Sequence, residues 1–146
     1  MASTIPGYWG VLLEVDLTNR KVNQIDLNPG DAANFVGGRG LGGKLLWDRL
    51  KKPGVDALSP ETPFSIMPWP VSVFPVPYAA RFTTVTKSPH TSPLDSPYEK
   101  SSTISFSTGG GFLAPEIKLA GYDGIIFTGK ADAPVIVVIN NDKVEI

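Results

Sequence analysis

The stretch FLAPEIKLAGYDGIIFTGKADAPVIVVINNDKVEI, residues 112–146, carries the strongest structural signals of the chain. Its first ten residues predict a helix of one to three turns that ends at Gly121, because glycine readily takes the left-handed conformation after a helix. The apolar segments GIIFTGK, PVIVVIN and KVEI predict three strands, and the turn residues NNDK join the last two in a hairpin. A helix followed by strands and a hairpin favours a fold that combines both types of element.

Hydrophobic patterning before residue 112 predicts further short elements of both types. Alternating or β-branched segments predict five strands, at residues 9–17, 22–27, 64–67, 81–88 and 103–108. Two short helices are expected, one from an Asp31 cap to Val36 and one over 41–51, separated by Gly37 and Gly38. Four side chains of the second helix are expected to be buried: Leu41, Leu45, Leu46 and Trp47. The predicted fold class is α+β, with mostly antiparallel β-sheets and short helices.

Length and composition favour a single domain over residues 1–146 and exclude several classes of function. The 13 basic and 14 acidic residues give a net charge of −1, which provides no electrostatic attraction to nucleic acid or to an acidic membrane. The absence of cysteine excludes thiolate zinc sites and cysteine-bound iron–sulfur clusters in this chain. No apolar run approaches the ~20 residues of a membrane span, and MASTIPGYWG lacks the features of a signal peptide. A cytoplasmic location without membrane contact is therefore expected.

The first candidate binding motif is Gly37-Gly38-Arg39-Gly40, which lies within a predicted helical region. Three glycines allow the backbone to approach a ligand closely, and the Arg39 guanidinium offers a fork of donors to a phosphate or a planar heterocycle. The spacing matches neither a P-loop nor a dinucleotide-binding fingerprint. A corner between two helices with a surface arginine is the alternative interpretation.

The second candidate motif is Gly109-Gly110-Gly111, between a predicted strand and a predicted helix. Backbone N–H groups at such a junction form an anion site that suits phosphate or pyrophosphate. A flexible turn is the alternative. Arg81 and Lys87 flank the strand at 81–88, where an arginine near the glycines suggests an anionic or heteroaromatic ligand, although such an arginine is often only solvated.

The remaining polar and aromatic residues predict neither catalysis nor metal binding. His90 is the single histidine and has no second histidine or acidic pair at metal-ligand spacing. Glu116 fits the first turn of a helix, where a carboxylate is favoured by the helix dipole. Three tryptophans are expected to pack in the core or the hairpin: Trp9, Trp47 and Trp69. Since no nucleophile, base and orienting group occur together, no catalytic residue is assigned.

Five segments occur in a characteristic order: GYWGVLLEVDLT, FVGGRGLGGKLLWD, VDALSPETPFSI, RFTTVTKSP and GGGFLAPEIKLAGYDGIIFTGKADAPVIVVINNDKVEI. Together they resemble the N-terminal domain of the aldehyde:ferredoxin oxidoreductase family, which includes tungsten enzymes and the catalytic subunits of class II benzoyl-CoA reductases. The most specific segment is PEIKLAGYDGIIFTGKA. The resemblance implies a domain of two β-sheets with short helices, which forms a base for a tungsten or molybdenum atom held by two pyranopterins.

The resemblance also implies roles for individual residues. Arg81 occupies the position of an arginine that contacts the pterin in the family. Thr108 and the glycine run 109–111 occupy positions that lie against the pterin and its phosphates, where a magnesium ion is held in part by a backbone carbonyl. Family members typically have asparagine in place of Thr108, a change that matters little for a main-chain ligand. With Arg39, these residues are the candidate cofactor-binding residues.

The family continues with two helical domains that carry the iron–sulfur cysteines and the substrate channel. The first hypothesis is therefore a cofactor-domain subunit or fragment of a tungsten or molybdenum bispyranopterin oxidoreductase that needs a partner chain for those domains. The alternative is a cofactor-free paralogue that acts as a structural or assembly subunit of a redox complex or oligomer. It rests on PWPVSVFPVPYAA (68–80), which replaces a small segment of the type G-P-L-T-G-T, and on the longer connection SPLDSPYEKSS. Self-association is also expected, because the chain ends in a predicted strand that leaves an open sheet edge.

Overall fold

A computed structural model of the chain describes residues 5–91, 95, 97 and 102–146. Within these residues it has three helices and eight strands. The helices are α1 (Pro29–Phe35), α2 (Gly38–Arg49) and α3 (Leu113–Leu119). The strands are β1 (Val11–Asp16), β2 (Lys21–Asp26), β3 (Phe64–Pro68), β4 (Arg81–Lys87), β5 (Ile104–Gly110), β6 (Ile125–Thr128), β7 (Val138–Asn140) and β8 (Lys143–Glu145). The predicted α+β class is confirmed, and most of the predicted loop SPLDSPYEKSS lies outside the described residues.

Six strands form one mixed sheet in the order β2-β1-β6-β3-β4-β5, and β7 pairs with β8 in a separate hairpin. Neighbouring strands of the large sheet are antiparallel except β1 and β6, which run parallel. The mostly antiparallel pairing expected from the sequence is therefore confirmed. The outermost strands are β2 and β5, so within the described part of the chain β5 has a strand neighbour on one side only.

The large sheet is covered on both faces, and β1 buries side chains on each. Leu12 packs with Leu41 of α2 in one cluster, whereas Leu13 packs with Ile117 of α3 in a second cluster on the other face. The alternation of β1 predicts one buried face, because Leu12 shares its side with two acidic residues. Packing of α2 over that side buries Leu12 as well.

Helix α2 begins at Gly38, earlier than predicted, and lies against β3 and β4. Three of the predicted core leucines are buried: Leu41, Leu45 and Leu46. The prediction for Trp47 is wrong, because 75% of this residue is exposed. Consecutive helical residues point in directions about 100° apart, so Trp47 lies about 200° around the helix from Leu45, on the side that faces solvent.

Helix α1 is capped by a different residue from the one predicted. Asn28 Oδ1 accepts hydrogen bonds from the backbone N–H of Gly30 at 2.7 Å and of Asp31 at 3.3 Å. Asp31 lies in the first turn, where its carboxylate interacts favourably with the helix dipole. The helix therefore begins at Pro29, a residue that is well tolerated in a first turn.

The segment between β3 and β4 is an irregular loop held by turn hydrogen bonds. Ser72 N donates to Trp69 O at 3.0 Å, and Ala79 N donates to Val76 O at 3.1 Å. Trp69 is 41% exposed and Trp9 is 52% exposed, so neither lies in the core, one of the two places expected for the tryptophans. Hydrogen bonds from Trp69 N to Arg81 O and to Ser72 Oγ hold this residue at the end of β3.

The C-terminal hairpin of β7 and β8 is shorter than the sequence predicts. The predicted strand 134–140 is ordered as a strand only from Val138 to Asn140, where it pairs with β8. The tight turn of the hairpin is confirmed, with Asn141 at a positive φ of 54°. Among the described residues, no helix has the length and apolar character needed to cross a bilayer.

Candidate functional site

A cavity of about 310 Å³ lies where the beginning of α2 meets the ends of β3, β4 and β5. We call it the Arg39 cavity. Its lining residues come from α2 and the residue before it, from β4 and β5, and from the loop after β3: Gly37, Arg39, Gly40, Trp69, Thr83, Phe106 and Thr108. Two of the sequence-predicted candidates, Arg39 and Thr108, therefore lie at the same cavity although they are far apart in the chain.

The glycines at the start of α2 let the helix lie unusually close to its neighbours. A Cβ on Gly38 would lie 2.5 Å from Trp69 Nε1, and the φ of Gly38 is +48°. A Cβ on Gly40 would lie 2.4 Å from Phe35 O. Both distances are too short for any side chain, so the motif works here as a tightly packed helix start. This arrangement places Arg39 beside the cavity.

The Arg39 guanidinium lies over an aromatic ring and has no acidic partner among the described residues. Its Cζ is 4.6 Å from the ring centroid of Phe106, a cation–π distance, and Phe106 is 49% exposed. No ion pair or hydrogen bond joins the Arg39 side chain to another described residue. Its N–H donors are therefore available to an anionic or planar ligand.

Strand β5 contains Gly109 and Gly110, so the prediction of a glycine turn directly after residue 108 is wrong for these two residues. They pair with Phe82 and Arg81 of β4. A Cβ on Gly109 would lie 2.5 Å from Cζ of the Phe82 ring, which explains why a side chain is absent there. Only Gly111 leaves the strand, with a φ of +101° and nothing within 4 Å of a Cβ.

The register of β5 shows which of its peptide groups have no ladder partner in the described part of the chain. Ser88 N donates to Thr103 O, and Trp69 N donates to Arg81 O, which fixes the alternation of hydrogen-bonded pairs along β4. Since pairs alternate in an antiparallel ladder, the pairs Arg81–Gly110 and Thr83–Thr108 do not exchange ladder hydrogen bonds. The N–H and C=O groups of Thr108 and Gly110 therefore point away from β4, at the open edge of the sheet.

Arg81 stands at the beginning of β4 and is exposed. It is two residues from Thr83, so both side chains leave the same face of the sheet. Thr83 Oγ1 lies 3.4 Å from Thr108 Oγ1 and lines the cavity, whereas Arg81 does not line it. The structure thus places Arg81 opposite Gly110, at the rim next to the Arg39 cavity.

The other residues weighed from the sequence lie elsewhere. His90 is exposed in the loop after β4, and Glu116 is exposed in the first turn of α3. Lys87 is buried, and its ammonium group donates a hydrogen bond to Val55 O. It is therefore a structural residue and not a free cation. Within the described residues, no group of three histidine, cysteine or acidic side chains is arranged to hold a metal ion.

Three cavity residues were missed by sequence reasoning: Trp69, Thr83 and Phe106. The alternation of β4 and β5 identifies Thr83 and Phe106 as belonging to one face, but it does not show that this face meets α2. Trp69 lies within a proline-rich segment, and that pattern indicates only a loop. A cavity of about 400 Å³ near Trp47 contains none of the candidate residues.

Comparison with known proteins identifies the family. The family model for the aldehyde ferredoxin oxidoreductase N-terminal domain matches residues 12–146. The tungsten-containing aldehyde ferredoxin oxidoreductase of Pyrococcus horikoshii is 34% identical over 140 residues, which cover 96% of this chain and 21% of that protein. The aliphatic sulfonate oxidoreductase, WOR-like subunit, of Pyrococcus furiosus is 40% identical over 142 residues. The match covers 95% of this chain and 21% of that protein.

A solved structure shows the same architecture. The active-site complex BamBC of benzoyl coenzyme A reductase, in complex with 1,5-dienoyl-CoA, superposes with a TM-score of 0.83 at 39% identity. The match covers 95% of this chain and 20% of that one, so the chain spans about a fifth of the proteins it matches. The chain therefore belongs to the aldehyde ferredoxin oxidoreductase family and corresponds to its N-terminal domain.

Proposed function

We propose that residues 1–146 form one domain that holds part of a tungsten or molybdenum bispyranopterin cofactor in an oxidoreductase. The observation that carries this proposal is the Arg39 cavity, where a guanidinium without an ion-pair partner among the described residues lies over Phe106 of β5. When bound, such a cofactor supplies redox chemistry at its metal. The chain itself supplies binding and orientation, and no residue of it is assigned a catalytic role.

The residues at the cavity fit a planar, anionic group. Arg39 offers several donors to ring oxygens or phosphate, and its guanidinium contacts the Phe106 ring. The hydroxyl groups of Thr83 and Thr108 lie 3.4 Å apart at the cavity, and each can donate and accept a hydrogen bond. Arg81 adds a second positive charge at the rim. It lies opposite Gly110 in the sheet, and Gly110 and Gly111 leave the backbone there uncovered by side chains.

The outward carbonyl of Thr108 is also an oxygen ligand of the type that magnesium prefers. Since no acidic or histidine cluster accompanies it in the described part of the chain, the other magnesium ligands would be cofactor phosphates and water. The side chain of Thr108 is not required for this role. We propose Arg39, Arg81, Thr108 and the glycine run 109–111 as the cofactor-binding residues.

The size of the cavity limits what this chain can do alone. Ligand sites of proteins span about 300–1,000 Å³, so a cavity of about 310 Å³ accommodates one heterocycle and not a whole bispyranopterin. We therefore propose that a chain carrying helical iron–sulfur and substrate domains completes the site. A second copy of this chain is the other candidate partner.

The cofactor-free paralogue is the second candidate, favoured by the loop after β3. Trp69 contributes an indole to the cavity, and the same loop exposes apolar side chains that suit contact with another protein: Val71, Val73, Phe74, Val76 and Tyr78. A structural or assembly subunit would keep the fold and bind its partner without any cofactor.

Anaerobic purification of the chain, alone and with its partner, distinguishes these functions. Tungsten and molybdenum are measured by mass spectrometry, and pterin is measured by fluorescence after oxidation. We expect pterin and metal in the wild type and a clear loss in Arg39→Ala. The control is Arg20→Ala, which removes the same charge from the β1–β2 turn. The absence of metal and pterin from every preparation would instead support the structural subunit.

A further inference from the structure

Two lysines of the described residues are buried, Lys87 at 6% exposure and Lys118 at 3%. Lys118 is neutralised by Asp123, with which it forms an ion pair. Lys87 forms an ion pair with none of the described residues, and its one hydrogen bond among them goes to Val55 O. That bond fixes the ammonium group in place but does not balance its charge, because a carbonyl is neutral. Since a buried cation is costly unless an anion accompanies it, the surroundings of Lys87 favour a bound anion.

The cavity of about 400 Å³ near Trp47 is lined by Lys87, and we call it the Lys87 cavity. The rest of its lining comes from the last part of α2, from the turn that follows and from Ser102, just before β5. It shares no lining residue with the Arg39 cavity. Thr83 of the Arg39 cavity and Lys87 are four residues apart in β4, which is about 13 Å at the rise of a strand. The two cavities are therefore separate.

Ser102 provides a second, independent indication of a ligand. Its Oγ is buried and forms no hydrogen bond with the described residues. Buried hydroxyl groups are nearly always hydrogen-bonded, because an unpaired one loses its bond to water without a replacement. Serine hydroxyls turn between staggered χ1 rotamers, and Ser102 lines the cavity, so a ligand there can supply the missing partner.

Two more lysines make the cavity electropositive. Lys51 and Lys52 line it directly after α2, and Glu61 pairs with Lys52 at 3.3 Å. None of the described lining residues is acidic. Basic residues are favoured after a helix by its dipole, so Lys87 and Ser102 carry more weight than these two. Together, three ammonium groups and a hydroxyl form a set of donors that suits an anion with several oxygens.

We propose that the Lys87 cavity binds a phosphate group, either free phosphate or the phosphate of a small ester. Several charged oxygens on one phosphorus match ammonium groups that belong to different parts of the chain. The cavity volume lies within the range of about 300–1,000 Å³ that small-molecule sites span, so it has room for more than the phosphate. Trp47, which is 75% exposed, lines the cavity and offers a flat apolar surface to a ring carried by such an ester.

The test is isothermal titration calorimetry of the 146-residue chain with inorganic phosphate at low ionic strength. We expect Lys87→Met to weaken binding roughly tenfold or more, because it removes the buried charge. Ser102→Ala should weaken binding roughly fivefold, the effect of one hydrogen bond. It should not lower the free energy of unfolding, since the hydroxyl has no bond to lose in the ligand-free chain. Lys143→Met, on the exposed strand β8, is the matched control and should bind phosphate like the wild type.

Absence of saturable binding to the wild type would overturn the proposal, and so would equal affinities of the wild type, Lys87→Met and Ser102→Ala. Should Lys87→Met not fold, Ser102→Ala decides by itself. Titration with AMP distinguishes the two sources of the phosphate. Binding tighter than that of inorganic phosphate, with the difference lost in Trp47→Ala, assigns the site to an ester that carries a ring. Equal or weaker binding of AMP assigns it to free phosphate. Neither result bears on the cofactor proposed for the Arg39 cavity.

Discussion

Lys118 and Asp123 form an ion pair in which both side chains are almost fully buried, at 3% and 1% exposure. The Asp123 carboxylate also accepts the backbone N–H groups of Trp9 at 3.1 Å and of Gly10 at 2.6 Å. Lys118 donates a second hydrogen bond to Gly7 O at 2.7 Å. This pair therefore ties the segment before β1 to the turn between α3 and β6.

Asp123→Ala should strongly destabilise the chain, because it leaves the Lys118 ammonium buried without its counter-charge. We expect the free energy of unfolding to fall by about 3–5 kcal/mol, measured by urea denaturation. Asp132→Ala, in an exposed loop, should change it little. The double variant Lys118→Met/Asp123→Leu should lose less than Asp123→Ala alone. Equal effects of Asp123→Ala and Asp132→Ala would contradict the role of the pair.

Two glycines of α2 should respond oppositely to alanine. Gly38→Ala should destabilise the chain, because its Cβ would meet Trp69 Nε1 at 2.5 Å and its φ is +48°. Gly43→Ala should stabilise it by about 0.5–1 kcal/mol, because Gly43 lies within α2 and nothing lies within 4 Å of a Cβ there. Thermal unfolding of both variants checks the prediction, which fails if both shift the melting temperature in the same direction.

Two adjacent residues of β5 should differ in their tolerance of proline. Ser107 forms a hydrogen-bonded pair with Thr84, so Ser107→Pro should remove a ladder bond and cost about 1–3 kcal/mol of stability. Thr108→Pro should cost less, because its N–H points outward, but it should weaken pterin binding. Urea denaturation gives the order of stability, and the reverse order would show that the peptide groups of Thr108 are not at the open edge.

Adjacent residues of α2 also provide a test of packing. Leu46 is 3% exposed and Trp47 is 75% exposed. Leu46→Ala should therefore cost about 2–5 kcal/mol, whereas Trp47→Ala should stay within about 0.5 kcal/mol of the wild type. The measurement is again the free energy of unfolding in urea. A large loss in Trp47→Ala would mean that the tryptophan is covered in solution.

Much of the fold could be predicted from the sequence because its signals are local. The alternation of β1, the turn residues of the hairpins and Gly121, with a φ of +95°, each depend on a few neighbouring residues. Tertiary packing decided the remainder. Leu12 has acidic neighbours along its side of β1, yet α2 covers it. Trp47 looks like a core residue in sequence, but the helix turns it outward.

The candidate site could be predicted only in part, for a similar reason. Arg39 was found because three glycines surround it in a predicted helical region, whereas Thr108 was assigned only through the resemblance to the family. Trp69 was not assigned to a site, since only the folded loop brings it against Gly38. Likewise, the extension of β5 through Gly109 and Gly110 depends on pairing with β4, which glycine-rich sequence does not indicate.

The two outer strands of the large sheet differ in charge. Strand β2 carries Lys21 and Asp26, whereas β5 has no charged residue and exposes Ile104 and Phe106. Charged edges resist pairing with other chains, and an uncharged edge invites it. A ligand and a second chain would then compete for the same peptide groups of β5. The tendency of this protein to aggregate should therefore report how fully its site is occupied.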